Sequence, residues 1–190
     1  MNHFFAYINR MRFIQRWALM RNSYSENIQE HSHQVAVLAH ALAVLRNEYF
    51  GGQVDAGQVA AAALYHDAAE ILTGDMPTPI KYYNPDIRDA YKNVERVAER
   101  KLLDMLPPEL RPSYEELLRP ADPEVETLVK AADKLSAYIK CVEELKAGNS
   151  EFRDAAAQTR AALEEYELPE VTYFLETFMP SFSLTLDQLK

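Results

Sequence analysis

An all-α fold is what this sequence predicts, and three observations carry the prediction. Only five glycines occur in 190 residues, and Ala, Leu and Glu, all good helix formers, dominate. Apolar residues recur at helical spacing through most of the chain. Helix start and stop signals bracket those stretches. The expected architecture is a single helical bundle of about five to seven main helices plus short ones, with residues 1–190 forming one domain.

The elements follow in order. Phe4, Ile8 and Met11, with Phe5 and Ile14 nearby, predict a first helix over residues 3–15. A connector, RWALMRNSYS, then holds the sole tryptophan, Trp17, between Arg16 and Arg21. Asn27 with Glu30 reads as a capping box opening a second helix along Val35, Leu38, Leu42 and Leu45, which Gly51-Gly52 stops. Asp55 caps a third, Ala-rich helix expected to run through His66, Asp67 and Glu70 to about Gly74. Pro77, Pro79 and Pro85 make the next stretch a stiff loop.

A fourth, amphipathic helix spans 86–106, and Pro112 and Pro120 break up the short piece SYEELLR after it. Asp122-Pro123, an N-cap acid before a first-turn proline, starts a fifth long helix that closes at Gly148-Asn149. Residues 151–167 and the aromatic LPEVTYFLETFMP segment give two more helices, and the tail SFSLTLDQLK is expected to be only partly ordered.

Composition narrows the function. Hydrophobic residues make up 48% and charged residues 26%, ordinary globular values. The lone cysteine, Cys141, excludes an intramolecular disulfide framework and suits a reducing compartment. No apolar run reaches the roughly 18 residues of a membrane span, and the N-terminus lacks the order of a signal peptide. A soluble, cytoplasmic protein is expected. The net charge of −9 argues against a polymeric nucleic-acid binder. Yet residues 1–25 hold Arg10, Arg12, Arg16 and Arg21 and no acid, a local basic segment suited to a small phosphate-bearing ligand.

The chemistry concentrates in AAALYHDAAEILTGDMPTP, residues 61–79. His66, Asp67 and Glu70 fall within one helical turn in an otherwise apolar run, where burial is costly without a partner such as a metal ion. The remaining ligands should come from neighbouring helices. Positions 31, 35, 38 and 42 share a face, so His31 points to the core, while His33 lies about 200° away and points elsewhere. His33 and His40 are read as ordinary surface or core histidines. Asp133, set among Ala131, Ala132, Leu135 and Ala137, is the further carboxylate, since an uncompensated aspartate there is expensive.

The order H…HD…D on a helical scaffold resembles the HD-domain phosphohydrolases. RWALMRN at 16–22, ENIQEHSHQVA at 26–36, YHDAAEILTGDMPTPIKY at 65–82 and KAADKLSAYIKCVEEL at 130–145 resemble the bacterial 5'-deoxynucleotidases of the YfbR type. The resemblance covers nearly the whole chain. It implies a homodimer that hydrolyses deoxyribonucleoside 5'-monophosphates to deoxynucleoside and phosphate with one divalent ion (Co, Mn, Mg, Fe or Zn). It implies His31, His66, Asp67 and Asp133 as metal ligands and Glu70 as the catalytic carboxylate. Arg16 would orient the phosphate beside Trp17, and Asp75, Met76, Pro77 and Thr78 would contact the nucleoside. His31, Asp67 and Asp133 would also face the substrate. His33 departs from the family pattern, which has an apolar residue there, and Met76 replaces a leucine.

Two other readings compete. A different HD hydrolase could act on nucleoside triphosphates or cyclic nucleotides; a triphosphate enzyme would need more cations near the metal than the N-terminal arginines provide. A non-enzymatic helical interaction protein would merely pair its HD group internally. Cys141 reads as a small buried apolar residue. Tyr82 and Tyr83 read as core or interface residues.

Overall fold

A computed structural model describes residues 2–81 and 83–189, except for the side chain of Thr78. Tyr82 lies outside the described residues. Ten α-helices are found among them, and no strand longer than a single bridge. They are α1 (Phe4–Ile8), α2 (Ile28–Phe50), α3 (Ala56–Tyr65), α4 (Glu70–Thr73), α5 (Thr78–Lys81), α6 (Pro85–Asp104), α7 (Arg111–Leu118), α8 (Pro123–Lys146), α9 (Arg153–Glu164) and α10 (Pro169–Thr177). Seven of these exceed one or two turns, which agrees with the helix count expected from the sequence.

The caps do what their residue types dictate. Asn27 accepts from the backbone N–H of Gln29 and Glu30, and the Glu30 side chain reaches back, completing the capping box of α2. Gly51 ends that helix with φ 72°, a left-handed conformation that favours glycine. Asp55 and Asp122 cap α3 and α8 through their side chains.

The core forms where α2, α3 and α8 meet, closed by α10. Val35, Leu42, Val59, Leu128, Leu135 and Ile139 are all fully buried there, each contributing roughly 1.5–3 kcal/mol. A smaller cluster joins Phe4 of α1, Ala68, Leu102 of α6 and Leu118 of α7. A third sets Cys141 against Phe152 and Ala156, with Trp17 packed on it, so Cys141 is the buried apolar residue expected.

Several expectations need correction. The first helix tightens to a 3-10 turn over Asn9–Phe13. The third helix does not continue through His66: α3 stops at Tyr65 and the chain passes through tight turns before α4. Ala68 N–H donates to Tyr65 O and Glu70 N–H to Asp67 O, a three-residue pattern, while the His66 ring bonds back to Ala63 O. The proline-rich loop contains the one-turn helix α5, whose Ile80 and Lys81 amides donate to Pro77 O. Pro79 and Pro112 sit in first turns, where no N–H donor is needed. The tail is in part ordered, as expected: it holds the end of a 3-10 turn at Met179–Ser183 and another at Leu186–Gln188, and Lys146 Nζ donates to Leu184 O, while nearly all its described side chains are exposed. Tyr83 is 77% exposed, so of its two expected places, core or interface, the core is excluded.

Candidate active site

Three elements bring the polar cluster together. The α2 stripe carries His31 inward, fully buried, while His33 is exposed on the opposite side. The turn after α3 presents His66 and Asp67, and α8 presents Asp133. Ligand atoms of His31, His66 and Asp133 all lie within 4.8 Å of one another. Asp67 stands beside this triple. Its Oδ2 is 3.1 Å from His66 Nε2, 3.5 Å from His31 Nε2 and 3.4 Å from Arg16 Nη1.

The hydrogen bonds around both imidazoles fix their tautomers. His66 Nδ1 lies 2.7 Å from Ala63 O, a pure acceptor, so Nδ1 carries the proton. Ser136 Oγ donates its single proton to Gln34 Oε1 at 2.6 Å, so it accepts from His31 Nδ1 at 3.2 Å. Each ring therefore turns Nε2 toward the cluster. Carboxylate oxygens lie at 3.0 and 3.1 Å from these atoms, yet off the direction a hydrogen bond requires, and both Nε2 atoms are buried without a hydrogen-bond partner. Two buried Nε2 atoms converging with the Asp133 carboxylate, with Asp67 beside them, fit a divalent ion with N/O preference.

Charge follows the same geometry. Burial opposes ionisation of Asp67, but the positive charge that His66 and then His31 carry when protonated, with that of Arg16, outweighs it and holds the carboxyl at about 2. Asp133 is likewise held far below its ordinary value against the effect of burial, by His31 first, then His66, when these are protonated, and by Arg16. Glu70 goes the other way. Burial, then repulsion from Asp67 and Asp75, pushes its carboxyl up to about 10, and its Oε2 is buried without a hydrogen bond. Burial and the same neighbouring Asp67 charge raise Asp75 as well, against Arg16.

A cleft of about 690 Å³ opens over the cluster. Its walls include Arg16, Trp17, Asp67, Glu70 and Asp133, together with Asp75, Met76 and Pro77 of the loop after α4. His31 and His66 do not line it; they lie beneath its floor. Asp133 is less buried than its apolar neighbours suggested, with 37% of its side chain exposed toward the cleft. Thr78 cannot be placed, its side chain lying outside the described residues. Of the four N-terminal arginines only Arg16 reaches the cleft. Arg10 and Arg12 lie over the Phe13 ring at the surface, and Arg21 is exposed.

Sequence reasoning missed other wall residues: Lys81, Lys134 of α8, and Ala155, Thr159 and Ala162 of α9. It also missed Glu26, Gln34 and Ser136, which stand behind Arg16, Trp17 and His31. Only Ser136, a hydroxyl at a core-facing position three residues after Asp133, left a sequence signal.

Residues 3–182 match the family profile described as "5'-deoxynucleotidase YfbR-like". The chain belongs to the YfbR-like family. Its relatives include a 5'-deoxynucleotidase of Vibrio cholerae, 54% identical over 190 residues, covering 99% of this chain and 98% of the relative. A 5'-deoxynucleotidase of Yersinia pestis is 51% identical over 191 residues, covering 100% and 97%. Among solved structures, an HD-domain phosphohydrolase from Listeria innocua superposes with a TM-score of 0.82 at 24% identity, covering 95% of this chain and 88% of that one. A cyanophage S-2L HD phosphohydrolase, solved with dA and one catalytic Zn2+, superposes with a TM-score of 0.68 at 23% identity, covering 93% and 96%. These two likenesses establish the HD-domain fold for this YfbR-like chain.

Proposed function

We propose that the protein is a metal-dependent 5'-deoxynucleotidase, a phosphomonoesterase that converts deoxyribonucleoside 5'-monophosphates to deoxynucleoside and phosphate. The observation that carries the reading is the convergence of the His31 and His66 Nε2 atoms with Asp133, beneath a cleft that also holds Arg16 and Glu70. The names and high identity of the full-length relatives support the substrate class.

His31, His66, Asp67 and Asp133 would hold the ion. When bound, a divalent ion neutralises phosphate charge, lowers the pKa of water and draws the Glu70 carboxyl down from its raised value. Arg16 offers planar donors to the phosphate oxygens. Glu70 would orient the attacking water and take its proton, or pass one to the departing 5'-oxygen. Trp17 and the loop of Asp75, Met76 and Pro77 would wall the deoxyribose and so discriminate at C2'. The cleft wall also includes small α9 side chains such as Ala155 and Ala162, and a base held there by apolar contact would be broadly tolerated.

We further take residues 1–190 to be one domain, acting as a homodimer in the cytoplasm. No helix among the described residues is long and apolar enough to cross a membrane. Exposed Val37, Val44 and Phe178 line an apolar groove that supports self-association. Glu70→Ala tests the chemistry: metal binding is expected to stay within a few-fold while turnover falls by at least about 100-fold. Full activity in that variant would sink the role given to Glu70.

A further inference from the structure

Arg16 and Trp17 are consecutive, and consecutive side chains in an extended chain point apart. Here both reach one oxygen. Glu26 Oε2 accepts from Arg16 Nε at 3.2 Å and from Trp17 Nε1 at 2.9 Å. Trp17 has φ 59°, one of only two non-glycine residues with positive φ among those described. A bulky residue in the left-handed region is strained and persists only where its surroundings hold it. The surroundings are visible. Arg16 N–H donates to Glu26 O at 2.9 Å and Ile28 N–H to Ile14 O at 3.0 Å, closing the loop at its neck, while Phe152 supports the indole at 5.3 Å between ring centroids.

Glu26 is 8% exposed and does not line the cleft, so it does not touch substrate. We propose that Glu26 is the positioning residue that sets both the Arg16 guanidinium and the Trp17 indole in the substrate cleft. By holding Nε, Glu26 tethers the guanidinium behind the cleft and leaves a terminal nitrogen toward Asp67. Without that tether Arg16 is free to turn further onto Asp67, which already accepts from its Nη1 at 3.4 Å. Glu26 directly precedes Asn27, the N-cap of α2, and α2 carries His31 one turn further on. One helix start thereby ties the substrate-facing pair to the metal cluster. The inference rests on the 5'-deoxynucleotidase reading for the role of the cleft.

The test uses Glu26→Ala and Glu26→Gln in the full chain, with phosphate release from dAMP and fluorescence of Trp17, the sole tryptophan. Glu26→Ala is expected to raise KM for dAMP at least about tenfold, with a smaller loss of kcat. In the protein without nucleotide, its Trp17 emission should shift to the red and become more accessible to acrylamide. Glu26→Gln retains an acceptor for the indole but not the charge facing Arg16; it should keep near-wild-type emission and an intermediate KM. Wild-type KM and emission in Glu26→Ala overturn the proposal, as does a fall in melting temperature with kinetics unchanged. Should Glu26→Ala not fold, a wild-type KM in Glu26→Gln overturns it. Absence of dAMP hydrolysis in the wild-type protein instead defeats the activity reading, a different result from an active wild type whose Glu26 variants behave like it.

Discussion

Removing the Ser136 hydroxyl is expected to weaken metal binding about 10- to 100-fold while leaving the metal ligands in place. Ser136 and His31 are both fully buried, and Ser136 Oγ is the acceptor that fixes the proton on His31 Nδ1. Its own proton goes to Gln34 Oε1 at 2.6 Å. In Ser136→Ala the imidazole has two options. It can keep Nδ1–H unsatisfied in a dry site, which costs about 1–3 kcal/mol. It can instead move the proton to Nε2, where it faces Asp133 at 3.0 Å and has to be displaced by an incoming ion. The first cost is borne with and without the ion and falls on stability, whereas the second is charged to metal binding, where 1.4 kcal/mol is about a factor of ten. The assay is calorimetric titration of metal-depleted protein with Mn2+, paired with kcat at saturating Mn2+. The dissociation constant should rise by the stated factor, with kcat within about threefold of wild type once metal saturates. Gln34→Ala, which frees the Ser136 proton to turn toward Nδ1, should shift affinity in the same direction. An unchanged affinity in Ser136→Ala would refute the tautomer argument.

Two further outcomes follow from named contacts. Arg16→Lys removes both the planar fork and the Nε that meets Glu26, so KM for a deoxynucleoside monophosphate should rise about tenfold in steady-state phosphate release; an unchanged KM contradicts the phosphate role. Glu144 is enclosed and, although burial opposes its charge, donors from Lys140, Asn149 and Ser23 hold its carboxyl at about 2 against an ordinary 4.5. A depressed folded-state pKa stabilises above the unfolded value and is lost as pH falls toward the folded one. The contribution, about 3 kcal/mol, is therefore complete near neutral pH and fades between about 4.5 and 2. Chemical denaturation of wild type and Glu144→Gln across that range should show their difference shrinking as pH falls, and a constant difference contradicts the linkage.

What could be read from sequence was local and periodic. The stripe Val35, Leu38, Leu42 placed His31 inward and His33 outward, because helical spacing alone fixes the face. The Asn27 and Asp122 caps announced α2 and α8 through side-chain chemistry that acts within three residues. The break after Tyr65 was not legible: the run AAALYHDAAE contains no glycine or proline, and the turn arises from the His66 ring bonding Ala63 O and from the demands of the cluster. Prolines 79 and 112 misled in the opposite sense, since a first turn tolerates what a helix interior does not. Counting arginines overstated the basic site, because charge density along the chain says nothing of direction; Arg16 alone turns inward. Glu26 looked like an ordinary residue ahead of a capping box. Its partners come from a loop whose left-handed turn at Trp17 has no sequence signature.

The most direct measurement is phosphate release from a panel of deoxy- and ribonucleoside 5'-monophosphates, with dATP included, before and after chelation and re-addition of Co, Mn, Mg, Fe or Zn. The account predicts hydrolysis of the deoxyribonucleoside 5'-monophosphates that chelation abolishes, that added metal restores in the wild type, and that His66→Ala lacks throughout. Hydrolysis that survives chelation, or no release from any deoxyribonucleoside monophosphate with any metal, would contradict it.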